Sequence, residues 1–326
     1  MPESKRHIIL RDSTLREAMD TPGVWFDMAA RIEIATALAR LGVAEAEVVA
    51  PSRVEADLEV VRALREAAVG LRLSGLIYAS SPGFRGEVEQ AAALLDRIDL
   101  LVPLSARREP TSRKDKVSVM LEALSWACQD FPDVGVGFPH SSQTDGDFVA
   151  DIAGQATAAG AGRITFYDTN GSAEPFGVRQ IVGRLVAELD TTVIFHGHND
   201  LGLATANSLA AVLAGATVID ATVNGLGDRA GNASLEQVAV LLEREGFETG
   251  IDLSQLRPVS GLVAATSGES VSGLAPVVGE YAFEHRSPSH LATPTEFEAI
   301  TPEMVGGERR LQKAPSRSNR SETSEE

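Results

Sequence analysis

A chain of 326 residues with a hydrophobic fraction of 44% has enough apolar side chains to bury one large core. Its formal net charge of −17, from 46 acidic against 29 basic residues, argues against nucleic acid and anionic membranes as partners. No apolar run approaches the roughly 18 residues of a membrane helix. The single Cys128 excludes an internal disulfide, and the start MPESKRHIILRDSTLRE lacks a secretory signal's apolar stretch, so a reducing cytoplasm is expected.

Short apolar runs alternate with longer stretches that carry apolar residues at helical spacing, such as Ile32, Ala35, Leu38 and Ala39. Strands are expected at 7–12, 44–50, 71–79, 97–102, 133–138, 162–167, 192–196 and 217–222, with a last helix near 233–245. Eight strand–helix units favour the α/β class and a closed (β/α)8 TIM barrel over residues 1–249, with an open doubly wound sheet as the alternative. Residues 250–313 are rich in Gly, Ser and Pro and read as a small C-terminal helical subdomain, a lid over the barrel mouth. The tail 314–326 has almost nothing to bury and is expected to be disordered.

The expected seventh strand ends FHGHND, so His196 and His198 leave the same face of the strand. At the C-terminal end of a barrel strand that face lines the mouth, where two imidazoles make a plausible divalent-metal site. Two structural histidines would give the same spacing. The first strand ends Arg11-Asp12, which reads as an ordinary ion pair or as a cation beside a hard oxygen ligand. The eighth runs into NGLGDRAGN, a tight loop whose glycines at 225, 227 and 231 miss the dinucleotide-binding spacing.

Taken together, RDSTLRE near the start and HGHNDLGLATANSLAAVLAGATVIDATVNGLGDRAGN near the end resemble the DRE-TIM metallolyase superfamily over roughly residues 7–311. That superfamily includes 2-isopropylmalate, homocitrate and citramalate synthases, acyl-CoA lyases and 4-hydroxy-2-oxoacid aldolases. The resemblance implies that Asp12, His196 and His198 bind a divalent cation (Mg, Mn, Zn or Co), with Asn232 as a further ligand. The cation would chelate a 2-oxo acid, Arg11 would share the charge on its keto oxygen, and Thr169 of the Asp168-Thr169 pair would hold its carboxylate. Glu47, closing the second strand, matches an acidic position that serves equally as a structural ion-pair partner or a substrate contact.

Arg229 in GDRAGN, the mid-helix place of Cys128, and the segment VVGEYAFEHRSPSHLATPTEFEAITPEMVGG are similar to the condensing synthases, with acetyl-CoA as co-substrate. On that match His290 is the catalytic histidine acting on the thioester methyl group, while His285 reads as a loop histidine. Departures cluster at Arg16–Asp20, where the pattern expects a glutamine, and at Pro139, His140 and Gln143, where it expects an acidic pair and an arginine. The expected tyrosine after His290 reads Phe297. His140 then becomes a substrate contact for an unusual anionic group, or a polar strand-end residue with no such role. The reading is an acyltransferase that condenses acetyl-CoA with a non-standard 2-oxo acid, homocitrate synthase-like, working as a homodimer whose C-terminal segment reaches over the neighbouring barrel. An acyl-CoA lyase or 2-oxoacid aldolase on the same barrel is the first alternative, and a barrel that has lost catalysis and serves as a binding subunit the second.

Overall fold

The computed structural model describes residues 6–105 and 112–312; the expected disordered tail at 314–326 lies outside the described residues. Eight parallel strands close into a barrel in sequence order: β1 Ile9–Asp12, β2 Glu45–Val49, β3 Arg72–Tyr78, β4 Arg97–Leu101, β5 Val134–Phe138, β6 Arg163–Asp168, β7 Thr192–Gly197 and β8 Val218–Ala221. β1 closes the ring on β8, with Arg11 opposite Asp220 and Asp12 opposite Ala221. The TIM-barrel expectation holds, and each strand lies within two residues of its expected ends.

Helices fill the outer layer: α2 Met28–Leu41, α3 Val54–Glu66, α4 Phe84–Ala92, α5 Arg113–Asp130, α6 Gly146–Ala158, α7 Pro175–Glu188, α8 Ala204–Ala214 and α9 Leu235–Arg244. Their starts are chemically marked. Asp27, Ser112, Asp145, Glu174 and Ser234 each accept a hydrogen bond from a backbone N–H of the first turn, and Ser112 with Asp115 forms a full capping box. The sequence reading had no element between β1 and α2. The chain there makes a short helix, α1 Thr14–Glu17, followed by a 3-10 turn Ala18–Asp20.

Alternation along the strands separates two interiors. Ile98 and Leu100 of β4, Ile164 and Phe166 of β6, and Val193 and Phe195 of β7 join the large apolar core between strands and helices. Their alternates, Asp99, Arg163 and His196 among them, are buried inside the barrel. That inner space holds a lattice of ion pairs. Arg163 lies 3.2 Å from Asp99 and 3.5 Å from Asp133, and Arg97 reaches Glu45 at 2.5 Å and Asp133 at 2.9 Å. Two glycines of β5 make room for it: a Cβ on Gly135 would fall 1.8 Å from Asp99 Oδ1, and one on Gly137 would fall 2.6 Å from Tyr167 Cε2.

After α9 the chain returns to the end of the barrel where the strands begin, where Asp252 N–H donates to Leu41 O at 2.8 Å. From there α10 Leu256–Ser267 runs toward the mouth and Ser260 O accepts from Asn224 Nδ2. A two-residue parallel pair, β9 Glu284–His285 with β10 Arg310–Leu311, and the short helix α11 Pro288–Ala292 follow. This segment is held at the start of α10: Arg257 donates to Val277 O and Gly279 O, and Gly306 packs on Ser254 O. The sequence reading gives this segment as a lid over a barrel mouth; the contacts that hold it within one chain are with the turn before α10 and the first residues of that helix.

Candidate active site

The mouth is built from the C-terminal ends of β1, β6, β7 and β8. His196 and His198 project from β7, and the turn of α1 brings Glu17 up to them. One donor atom from each of Glu17, His196 and His198 lies within 4.8 Å of the others, all three residues being buried. Among the described residues this is the group of its kind that holds a carboxylate between two imidazoles. Asn232 bridges His198 through an antiparallel backbone contact, so the expected fourth ligand stands beside the histidines. Asp12 is not part of that close group: its carboxylate accepts from Thr14 N at 2.9 Å and Thr14 Oγ1 at 2.8 Å.

Buried atoms without partners mark where a ligand would sit. They include His196 Nε2, His198 Nδ1 and both side-chain polar atoms of Asn232. Buried polar atoms are normally paired, so this cluster fits a cation and its ligands. The rest of the geometry agrees. Asp220 Oδ2 lies 3.0 Å from His196 Nδ1, which fixes the ring and leaves Nε2 toward Glu17 at 3.4 Å. Burial works against charge on His196, yet its bond to Asp220 and the nearby Glu17 carboxylate outweigh that and raise it to about 9. Burial lowers His198 to about 4, helped by its charged neighbour His196. Asp12 is raised to about 7 by burial despite its two bonds from Thr14, with Glu236 and Asp220 adding to the rise.

Arg11, the expected substrate cation, is 1% exposed and ringed by carboxylates. Its Nε and Nη2 donate to the two oxygens of Asp220 at 2.7 and 2.8 Å, Nη1 donates to Asp99, and Glu47 lies 3.5 Å from Nη2. Glu47 also accepts from Arg16 Nε at 2.5 Å, so its ion-pair role is visible while its Oε2 has no hydrogen-bond partner. At the rim, Thr169 Oγ1 accepts from His140 N–H at 2.7 Å, which leaves the threonine hydroxyl proton free to donate. His140 has a positive φ of 68° and its ring meets Gln143 Oε1 at 3.1 Å. Arg229 ties the rim together, donating to Thr169 O and to both oxygens of Asp200.

His290 stands elsewhere. Its ring stacks on Phe297 with centroids 3.9 Å apart, and its Nδ1 lies 3.4 Å from His285 Nδ1. His285 Nε2 in turn meets Glu298 Oε1 at 3.0 Å, and Arg309 clamps that carboxylate with two bonds of 2.7 Å. The sequence reading set His285 aside as a loop histidine; it is buried and joined to His290.

Four residues of the mouth escaped the sequence reading as participants: Asp220, Tyr167, and Arg16 and Glu17, which were noted only as part of a departure. Arg16 is buried between Glu17 at 2.7 Å and Glu47, and its Nη2 has no partner. A charge in the middle of a buried strand, as in VIDA of β8, is the signal that would have found Asp220.

These features define a TIM barrel whose mouth gathers two histidines, a carboxylate and a caged arginine. The chain belongs to the HMGL-like family, whose model matches residues 7–263. Homocitrate synthase 1 of Nostoc sp. strain PCC 7120 is 36% identical over 314 residues, which cover 93% of this chain and 82% of that protein. A homocitrate synthase of Saccharolobus solfataricus is 35% identical over 311 residues, and the match spans 90% of this chain but 66% of the archaeal protein. Among solved structures, an HMG-CoA lyase from Acinetobacter baumannii, in complex with coenzyme A and 3-methylmalate, superposes with a TM-score of 0.72. At 20% identity, covering 83% of this chain and 94% of that one, it shows the shared fold.

Proposed function

We propose that the protein condenses acetyl-CoA with a 2-oxo acid: the thioester enolate attacks the keto carbon, and water then releases coenzyme A from the 2-hydroxy diacid. The observation that carries this reading is the convergence of His196 and His198 on Glu17, with ring nitrogens that lack hydrogen-bond partners, beside Arg16. The likeness to homocitrate synthases across nearly the whole chain supports the condensing direction.

His196, His198, Glu17 and Asn232 would hold a divalent cation, with Asp12 joining once its bonds to Thr14 are released. Such a cation (Mg, Mn, Zn or Co) supplies Lewis-acid polarisation of the keto oxygen. The chain's own groups do the remainder. Arg11, locked by Asp220, is a preorganised positive charge for the developing oxyanion. Thr169 has a hydroxyl proton to give to the substrate carboxylate, and Arg16 Nη2 a second cationic donor. Glu47 and His140 complete the substrate contacts, at the inner wall and at the rim.

His290 is proposed as the base on the thioester methyl. Its segment is anchored away from its own mouth, so it would serve the barrel of a second copy in a homodimer. Thiol release measured with acetyl-CoA and a panel of 2-oxo acids tests the reading: free thiol should form only when both substrates are present. Cleavage of a 2-hydroxyacyl thioester, with no condensation, would give the site to a lyase instead.

A further inference from the structure

Tyr167 sits on β6 with its Cα opposite His196 of β7. The two rings meet with centroids 4.7 Å apart. Away from the histidine the phenol packs with Leu76 and Leu101, and Tyr78 lies against them. This apolar cluster is inside the barrel and separate from the strand–helix core. The absence of a side chain on Gly137 is what lets the ring lie there, since a Cβ would come within 2.6 Å of it. Only 5% of Tyr167 is exposed, yet its hydroxyl has no hydrogen-bond partner. A buried phenol usually finds an acceptor, and leaving one unpaired costs roughly 1–3 kcal/mol.

The neighbouring atoms say what is missing. Arg16 Nη2 is buried without a hydrogen-bond partner as well, and Glu47 Oε2 and His196 Nε2 have only the longer ionic approaches of Arg11 at 3.5 Å and Glu17 at 3.4 Å. Of these groups Tyr167 Oη and Arg16 Nη2 are donors that act on one another across the mouth, and an oxygen of one small ligand between them would accept from both. The wall beside them is hydrocarbon: Leu76 and Leu101 are 2% and 5% exposed and already fill the barrel centre.

We infer that Tyr167 is the floor of the oxo-acid site: its ring limits how long the substrate's side chain is, and its hydroxyl donates a hydrogen bond to an oxygen of the bound oxo acid. The inference rests on the synthase reading and names the substrate class within it, a 2-oxo acid with a short, uncharged side chain. A long chain ending in a second carboxylate would have to displace the ring and place its charge against Leu76 and Leu101, at a steep desolvation cost.

Binding without turnover tests it. The full chain loaded with Mn2+ is titrated calorimetrically, in the absence of acetyl-CoA, with pyruvate, 2-oxobutyrate, 2-oxoglutarate and 2-oxoadipate. The unaltered protein should bind the first two at least about tenfold more tightly than the last two. Tyr167→Phe keeps the ring and should weaken pyruvate binding by about tenfold, with bound Mn2+ unchanged. Tyr167→Ala should erase or reverse the preference for short chains. Affinities and their order that survive both substitutions reject the role of Tyr167 alone, as does a preference of the unaltered protein for 2-oxoglutarate or 2-oxoadipate. If the unaltered protein binds none of the four, the synthase reading itself falls, and the floor with it.

Discussion

Asp220 accepts from two nitrogens of Arg11 and pairs with His196 Nδ1, so one carboxylate fixes both the fixed cation and a proposed metal ligand. Arg11 and His196 hold Asp220 well below the usual carboxylate range, although burial acts the other way. Asp220→Asn keeps the shape but loses the charge, and loss of such a supporting partner typically lowers metal affinity by about 10–100-fold. Competition with a chelator should show that drop; an unchanged affinity would mean that Asp220 serves Arg11 only. His198→Ala removes a ligand outright. Its turnover should vanish and its bound metal fall while the thermal melt remains cooperative. Full activity of metal-stripped protein in the presence of a chelator rejects the metal site altogether.

At the scale of elements, β5 is a strand defined by what it lacks. Gly135 and Gly137 alternate along its inner face and admit Asp99, Arg163 and Tyr167 into the barrel. Gly135→Ala puts a methyl where Asp99 Oδ1 lies, on rigid strands, and overpacking of this kind costs about 1–3 kcal/mol. A lowered Tm is expected, and an unchanged one would show that the ion-pair lattice can give way. The C-terminal segment makes its own prediction. His290 is held between Phe297 and His285, and His285 leans on the Glu298–Arg309 pair. Losing a positioned base costs about 10²–10⁴ in rate, so His290→Ala should lower kcat by that range with oxo-acid binding nearly intact. His285→Ala should cost less, since it acts only by orienting His290. A full rate in the first variant with a lost rate in the second would reverse these roles.

What the sequence disclosed, and what it hid, divides along the same line. Short apolar strands and helices with apolar residues at helical spacing depend on neighbours in the chain, and the barrel was legible from them. His196 lies on β7 and His198 one residue past its end, so their two-residue spacing, and with it their shared side of the chain, was legible too. Glu17 was hidden because a helix of four residues, too short to leave a periodic pattern, turns it toward β7. Asp220 and Asp99 were hidden because their partner Arg11 lies 209 and 88 residues away, a pairing that only barrel closure creates.

The whole molecule carries apolar surface in an unusual place. Leu274, Tyr281, Phe297 and Leu311 of the C-terminal segment are all substantially exposed, Leu274 at 82%. Large apolar side chains left exposed on one segment are the kind that association covers. Sedimentation of the full chain should therefore give a dimer, and mixing an inactive His198→Ala chain with an inactive His290→Ala chain should restore part of the activity. A fully active monomer would place His290 over its own mouth and reject the shared site.

The ion-pair lattice inside the barrel also bears on how the chain reaches this state. Arg11 of β1 is neutralised by β4 and β8, and Arg163 of β6 by β4 and by Asp133 ahead of β5. Each charge is desolvated by a ring that is complete only when the last strand has joined the first, and an unmatched buried charge costs several kcal/mol. Half a barrel would carry Asp220 without Arg11, or Arg11 without Asp220, facing a water-poor interior. Partly assembled forms are thus penalised electrostatically as well as by exposed hydrocarbon. The ring behaves as a latch that gains its full strength only on closure, and it makes the eight units one cooperative body rather than a row of separable repeats.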